Sequence, residues 1–125
     1  MPLVKLHLST HCLCNRKALA GEVRLALVDV LGIAPDHGHV ILYESPSHFR
    51  STHESRSVDF IFVEILMFTG RTDEMKQLLF KRLNDVIHVR TGVPERDILF
   101  VITEADRSNW AARGGVPISQ LDIGY

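Results

Sequence analysis

The feature that most constrains this chain is an internal echo at an offset of 60 residues. The segment Leu31-Gly32-Ile33-Ala34-Pro35-Asp36 is answered by Thr91-Gly92-Val93-Pro94-Glu95-Arg96, and Val40-Ile41-Leu42-Tyr43-Glu44 by Phe100-Val101-Ile102-Thr103-Glu104. Upstream, Leu19, Val23 and Leu27 match Leu79, Leu83 and Ile87, while Leu3, Leu6 and Leu8 match Val63, Leu66 and Phe68. Few pairs are identical, but order and spacing hold over about 40 positions, which reads as a duplicated unit. The repeats run over about 2–44 and 59–104, with a tail at 105–125, and 125 residues suit one domain.

Each half reads as strand, helix, strand. Residues 3–8 alternate apolar and polar, as a half-buried strand does. Residues 15–31 place Leu19, Val23, Leu27, Val30 and Leu31 on one helical stripe, and Gly32 supplies the stop. A second strand is expected at 40–43. In the second half, 59–68 is rich in β-branched and aromatic residues. Thr72 offers an N-cap hydroxyl, with Asp73 and Glu74 at the positive end of the helix that follows. Met75, Leu79, Leu83 and Val86 form its buried stripe, Gly92 ends it, and 98–103 is the fourth strand. The polar segment 44–57 reads as a surface loop or mobile hairpin.

Strand–helix–strand units whose strands share a sheet are parallel crossovers. The expected fold is therefore α/β (α+β): duplicated β-α-β units forming one four-stranded mixed sheet with two helices on one face. The other face then needs cover, and the simplest cover is a second copy of the chain.

Composition narrows the partners. Lys+Arg 14 against Asp+Glu 15 leaves a net charge of -1, with no basic surplus for nucleic acid or anionic membranes. The longest apolar stretch, residues 60–68, is nine residues and contains Glu64, too short to span a bilayer. Lys5, His7 and His11 interrupt any signal-peptide core. Cys12 and Cys14 make no disulfide framework, so a cytoplasmic setting is expected. His7, His11, Cys12 and Cys14 crowd metal-capable side chains into eight residues, but structural zinc sites use wider cysteine pairs and a second pair elsewhere. No metal site is expected.

Met1-Pro2-Leu3 ahead of an alternating strand, Phe68-Thr69-Gly70-Arg71-Thr72-Asp73-Glu74-Met75-Lys76 at a strand-to-helix turn, and Gly92-Val93-Pro94-Glu95-Arg96-Asp97 followed by Val101-Ile102-Thr103-Glu104 together resemble the tautomerase superfamily, which includes 4-oxalocrotonate tautomerase and malonate semialdehyde decarboxylase. The length, the doubled layout and Asn109-Trp110-Ala111-Ala112-Arg113-Gly114 resemble its fused branch. The resemblance implies a homotrimer, no cofactor, a small carboxylate substrate, and an N-terminal proline exposed by removal of Met1. That nitrogen is a secondary amine without amide resonance. A free α-amino group titrates near ~7.7–8.0, and burial or a neighbouring arginine lowers that value toward general-base chemistry. Groups that favour the cation would make it an acid instead. By residue type alone, Pro2 can equally be the start of an edge strand.

The resemblance further implies that Arg71 presents a bidentate fork to a substrate carboxylate or enolate oxygen. The alternative is a solvated arginine pairing with Asp73 or Glu74. His11, the repeat counterpart of Arg71, stands where tautomerases usually carry another arginine, and is a candidate hydrogen-bond donor or pH-dependent cation. The decarboxylase branch has an aspartate in the loop after the first helix. Here the register leaves either Asp36 or His37 at that position, and a plain turn role for Asp36 stays open. That branch also carries two arginines separated by one residue, the first of which is Thr69 here. Trp110 would wall the site or pack at a subunit contact, Ala112 replaces a second wall aromatic, and Arg113 is a further candidate carboxylate ligand. The expected reaction is proline-based keto–enol tautomerisation of a small 2-oxo acid. The alternatives are decarboxylation or hydration of a short 3-oxo or unsaturated acid, or a catalytically silent oligomeric binding protein.

Overall fold

The alternation of the first residues becomes strand β1 (Pro2–Ser9), in the computed structural model, which describes residues 1–122. Residues 123–125, the end of the tail, lie outside the described residues. Helix α1 (Arg16–Leu31) follows, then β2 (His39–Ser45), β3 (Ile61–Phe68), α2 (Asp73–Thr91) and β4 (Ile98–Ala105). A short hairpin, β5 (Ala111–Ala112) with β6 (Val116–Pro117), closes the described chain.

The sheet order is β2-β1-β3-β4. β1 runs parallel to β2, β3 parallel to β4, and the central pair is antiparallel, with Pro2 opposite Met67 and Val4 opposite Ile65. This is the expected mixed sheet of two crossover units, and both helices pack on one face of it. The core is sandwiched there: Val4, Leu6 and Leu8 of β1 and Ile61, Val63, Ile65 and Met67 of β3 lie under Leu19, Val23, Leu27, Leu79, Leu83 and Ile87, all fully buried. Each such side chain contributes about 1.5–3 kcal/mol by leaving water. Ile87, rather than Val86, is the fully buried end of the α2 stripe; Val86 packs at its margin. Asn15 lies outside α1 and caps it, accepting from the Ala18 N–H at 2.9 Å, which satisfies a donor with no partner inside the helix. The strands β2 and β4 run longer than their apolar cores, to Ser45 and Ala105.

The segment between the halves is a loop, as expected, with local structure at its start. It carries a 3₁₀ turn at Ser47–Phe49, and a second turn stands 60 positions later at Arg107–Asn109. The duplication extends to ion pairs: Arg16 meets Glu44 at 2.7 Å, and Lys76 meets Glu104 at 2.7 Å, again 60 positions on. Asp97 is fully buried and accepts from Ser57, both N–H (3.2 Å) and hydroxyl (2.7 Å), which ties the inter-repeat loop to the turn after α2.

No described helix lies on the second sheet face. His7 stacks between Tyr43 (5.1 Å) and Phe62 (5.7 Å) there, and its Nε2 meets Glu64 at 2.6 Å. Ile41, Tyr43, Leu99 and Val101 are exposed around them. No helix among the described residues is long and apolar enough to cross a membrane.

Candidate active site at the start of the first strand

Topology decides what surrounds Pro2. Because β1 is antiparallel to β3, the start of β1 lies beside the end of β3. Because β4 is parallel to β3, the segment leaving β4 emerges at the same end, with Phe68 opposite Ala105. Three pieces of chain therefore meet: the buried Pro2, the turn 69–72, and the 3₁₀ turn Arg107–Asn109 with Trp110.

Each side chain has a local reason for its place. Gly70 adopts φ 121, a left-handed value that favours glycine, and this swings the chain from β3 toward the helix. Thr72 then caps α2, accepting from the Met75 N–H at 3.2 Å. Arg71 is fixed between these two devices. It is half-buried, and among the described residues it forms no ion pair, so the alternative pairing with Asp73 or Glu74 is not made. Trp110 Nε1 donates to the Ala105 carbonyl at 3.1 Å, and its ring meets Phe68 edge-on, centroids 5.5 Å apart. The Arg107 guanidinium lies over the other part of this cluster, 4.4 Å from the Phe68 ring centroid.

The electrostatics follow. The terminal amine at Met1 is pushed from its ordinary 8.0 down to about 6, first by burial, then by Arg71 and Arg107. Arg71 itself is pushed down by burial and then by Arg107, with Glu104 opposing. Glu104 is engaged by Lys76. Two guanidiniums and an amine thus crowd one half-buried place, which suits an anionic ligand.

The other candidates fall in three places. Asp36 and His37 occupy the turn before β2, at the Pro2 end of the sheet, since Leu3 pairs with His39. The side chain of Asp36 is 86% exposed and that of His37 only 15%, so His37 is the one turned inward. Arg24 braces this turn through the carbonyls of Pro35 (2.6 Å) and His37 (3.2 Å). Arg113 stands in the exposed β5–β6 turn at φ 48, beside Gly114 and Gly115; the hairpin is tied to Trp110 by the Ile118 N–H on the Trp110 carbonyl (2.8 Å). His11 is not brought to Pro2 within the chain. It follows the far end of β1, eight residues at ~3.3 Å each from the proline, and lines a separate cleft of about 200 Å³ with Cys12, Asp59 and Pro94. Among the described residues no three His, Cys, Asp or Glu side chains converge as a metal site requires; His7 is held by Glu64 on the sheet face, away from Cys12 and Cys14.

Arg107 was not foreseen from sequence. Its repeat counterpart is Ser47, so the duplication carries no trace of it. The signal was positional: three residues before Trp110 on a turn leaving β4, it had to reach the end of the sheet where Pro2 begins.

Comparison with known proteins bears on the family and the fold. A family model described as a tautomerase enzyme matches residues 36–113. Probable tautomerases of Bacillus cereus and Bacillus anthracis are each 32% identical over 53 residues, 42% of this chain and 87% of theirs. Among solved structures, a malonate semialdehyde decarboxylase inhibited by 3-bromopropiolate is 25% identical with a TM-score of 0.79, covering 97% of this chain and 98% of that one. A wild-type fused 4-OT, a symmetric trimer, is 21% identical with a TM-score of 0.83, covering 94% of this chain and 96% of that one.

Proposed function

The chain belongs to the tautomerase enzyme family, and from that membership we propose that it interconverts the keto and enol forms of a small 2-oxo acid, with Pro2 as general base. Removal of Met1 frees the Pro2 amine. The reading is carried by the crowding of Arg71 and Arg107 around a half-buried amine, which lowers its basicity toward neutrality. A neutral amine can take the proton from the carbon beside a carbonyl or from the enol oxygen, and return it to the other atom. Arg71 and Arg107 hold the carboxylate and the oxygen on which negative charge grows. Phe68 and Trp110 exclude water from one side. Enolisation needs only a base, an acid and charge stabilisation, so no cofactor enters. His37, Arg113 and, from a neighbouring copy, His11 are further substrate contacts in this reading, with Asp36 outside it.

The open sheet face with its exposed Ile41, Tyr43, Leu99 and Val101 is covered by copies of the chain in a homotrimer, as the fused 4-OT structure is trimeric. Sedimentation at micromolar concentration giving a stable monomer would count against this. The enzyme test is ketonisation of phenylpyruvate enol by wild type and Pro2→Ala. Equal rates would remove Pro2 from the mechanism. A second reading, decarboxylation of a 3-oxo acid, is favoured by the likeness to malonate semialdehyde decarboxylase. Carbon dioxide release from malonate semialdehyde, without enol ketonisation, would select it.

A further inference from the structure

The far end of β1 holds a group that tautomerase chemistry does not use. In the sequence Cys12-Leu13-Cys14, alternation along an extended stretch puts Leu13 outward and both cysteines on one side; Leu13 is 94% exposed and the cysteines are half-buried. The Cys12 thiol donates to the Cys14 sulfur across 3.5 Å. Arg16 Nη1 donates to the same sulfur at 3.1 Å. The Nη atoms of that guanidinium are anchored on the Cys12 carbonyl (2.6 Å), the Cys14 carbonyl (2.9 Å) and the Thr10 carbonyl (3.2 Å), so its place is set by the backbone of the loop itself, while Nε donates outward to Glu44 (2.7 Å).

We propose that Cys12 and Cys14 form a redox-active dithiol that exchanges with low-molecular-weight disulfides, Cys14 attacking and Cys12 resolving. Two donors converge on the Cys14 sulfur, one of them cationic, and a guanidinium N–H stabilises negative charge on sulfur, the attacking form in disulfide exchange. Cys12 has the opposite character: burial and its own donation to Cys14 push its thiol up to about 12. It keeps its proton until a leaving group needs one. In the first step Cys14 gives up its proton and the thiolate attacks one sulfur of R–S–S–R, forming a Cys14–S–S–R bond and expelling RS⁻, which takes up the proton that Cys14 released. In the second, Cys12 attacks the Cys14 sulfur, its proton passes to a departing thiolate, and the remaining RS group leaves. The sum is one Cys12–Cys14 disulfide and two R–SH, with the small disulfide reduced and the protein oxidised by two electrons.

The experiment uses the full chain, reduced, then equilibrated in buffers of reduced and oxidised glutathione, quenched with N-ethylmaleimide and weighed intact. The expected product is a monomeric chain lighter by two hydrogens and carrying no maleimide. Cys12→Ser should accumulate a glutathione adduct on Cys14, and Cys14→Ser should lose the reaction. Arg16→Gln should slow adduct formation several-fold, because the attacking sulfur loses the cationic donor that lies 3.1 Å from it. Glu44→Gln, which keeps the guanidinium on the sulfur but removes its carboxylate partner, should leave the rate unchanged. Wild type that holds glutathione without closing an internal disulfide, or that stays fully alkylated at every buffer ratio, overturns the proposal. An adduct trapped at Cys12 in Cys14→Ser, and none at Cys14 in Cys12→Ser, overturns the assignment of roles. Equal slowing by Arg16→Gln and Glu44→Gln overturns the role of the guanidinium. None of these readouts involves the Pro2 end of the sheet.

Discussion

Replacing Arg107 by glutamine removes one of the two positive charges that hold the N-terminal amine down while keeping a planar polar side chain at the turn. The amine falls from 8.0 to about 6, and Arg107 is the smallest of three causes behind burial and Arg71. Its share is therefore at most about a third of that fall, so Arg107→Gln should raise the amine pKa by no more than about 0.7. Arg71→Gln should raise it further. Pro2 lies one residue deeper than Met1 and is buried, so the sign carries over to the processed protein. The assay is a pH–rate profile for enol ketonisation on protein whose loss of Met1 is verified by intact mass. The rising limb should move to higher pH, and rates well below it should drop by up to about fivefold from this cause alone. The pKa is taken from the position of the limb, because losing a carboxylate ligand lowers its height in any case. A limb that stays put, moves to lower pH, or moves further in Arg107→Gln than in Arg71→Gln would refute the electrostatic account of the site.

In protein that retains Met1, the folded amine pKa lies below the unfolded one, so the unfolded chain binds more protons between about pH 6 and 8; stability to urea should rise with pH across that window and level off above it. Trp110→Phe keeps an aromatic edge against Phe68 but removes the donor to the Ala105 carbonyl, and should cost about 1 kcal/mol in chemical denaturation. Leu83→Ala empties a fully buried position between helix and sheet and should cost about 2–5 kcal/mol, with the denaturant slope unchanged. Gly92→Ala forces a side chain into φ 71 at the end of α2, where nothing crowds the added carbon, and should cost about 1 kcal/mol, read as a lowered melting temperature.

The sheet was legible because two kinds of signal recurred at one offset: strands, read from Val4, Leu6 and Leu8 alternating with Lys5 and His7 and from the β-branched and aromatic run at 59–68, and helical stripes ending at Gly32 and Gly92. Hydrophobic burial enforces such patterns strongly, since a shift of one residue would turn a strand inside out. Pro2, Arg71 and Trp110 were grouped by the resemblance alone; the crossover rule fixes direction only within each half, and it is the antiparallel β1–β3 pairing that brings the three to one end of the sheet. Side chains on turns were less legible. Arg107 depends on a 3₁₀ turn with no apolar signature, and the inward choice between Asp36 and His37 is made in a turn, where no periodicity records it. His11 was read as the counterpart of Arg71, and in sequence it is. In space the antiparallel centre of the sheet sends it to the opposite end.

That antiparallel centre has a consequence for any attempt to multiply the activity. The position 60 residues after Pro2 is Phe62, inside β3, where its nitrogen is spent in a peptide bond. Phe62→Pro would supply the ring and still no base. What differs between the two ends of the sheet is chain connectivity, because a fused tandem has one beginning for two equivalent strands. Only scission within the connecting loop, with a proline left at the new terminus, could give the second strand an amine of its own. The second half would then also need arginines at positions 11 and 47, where His11 and Ser47 stand.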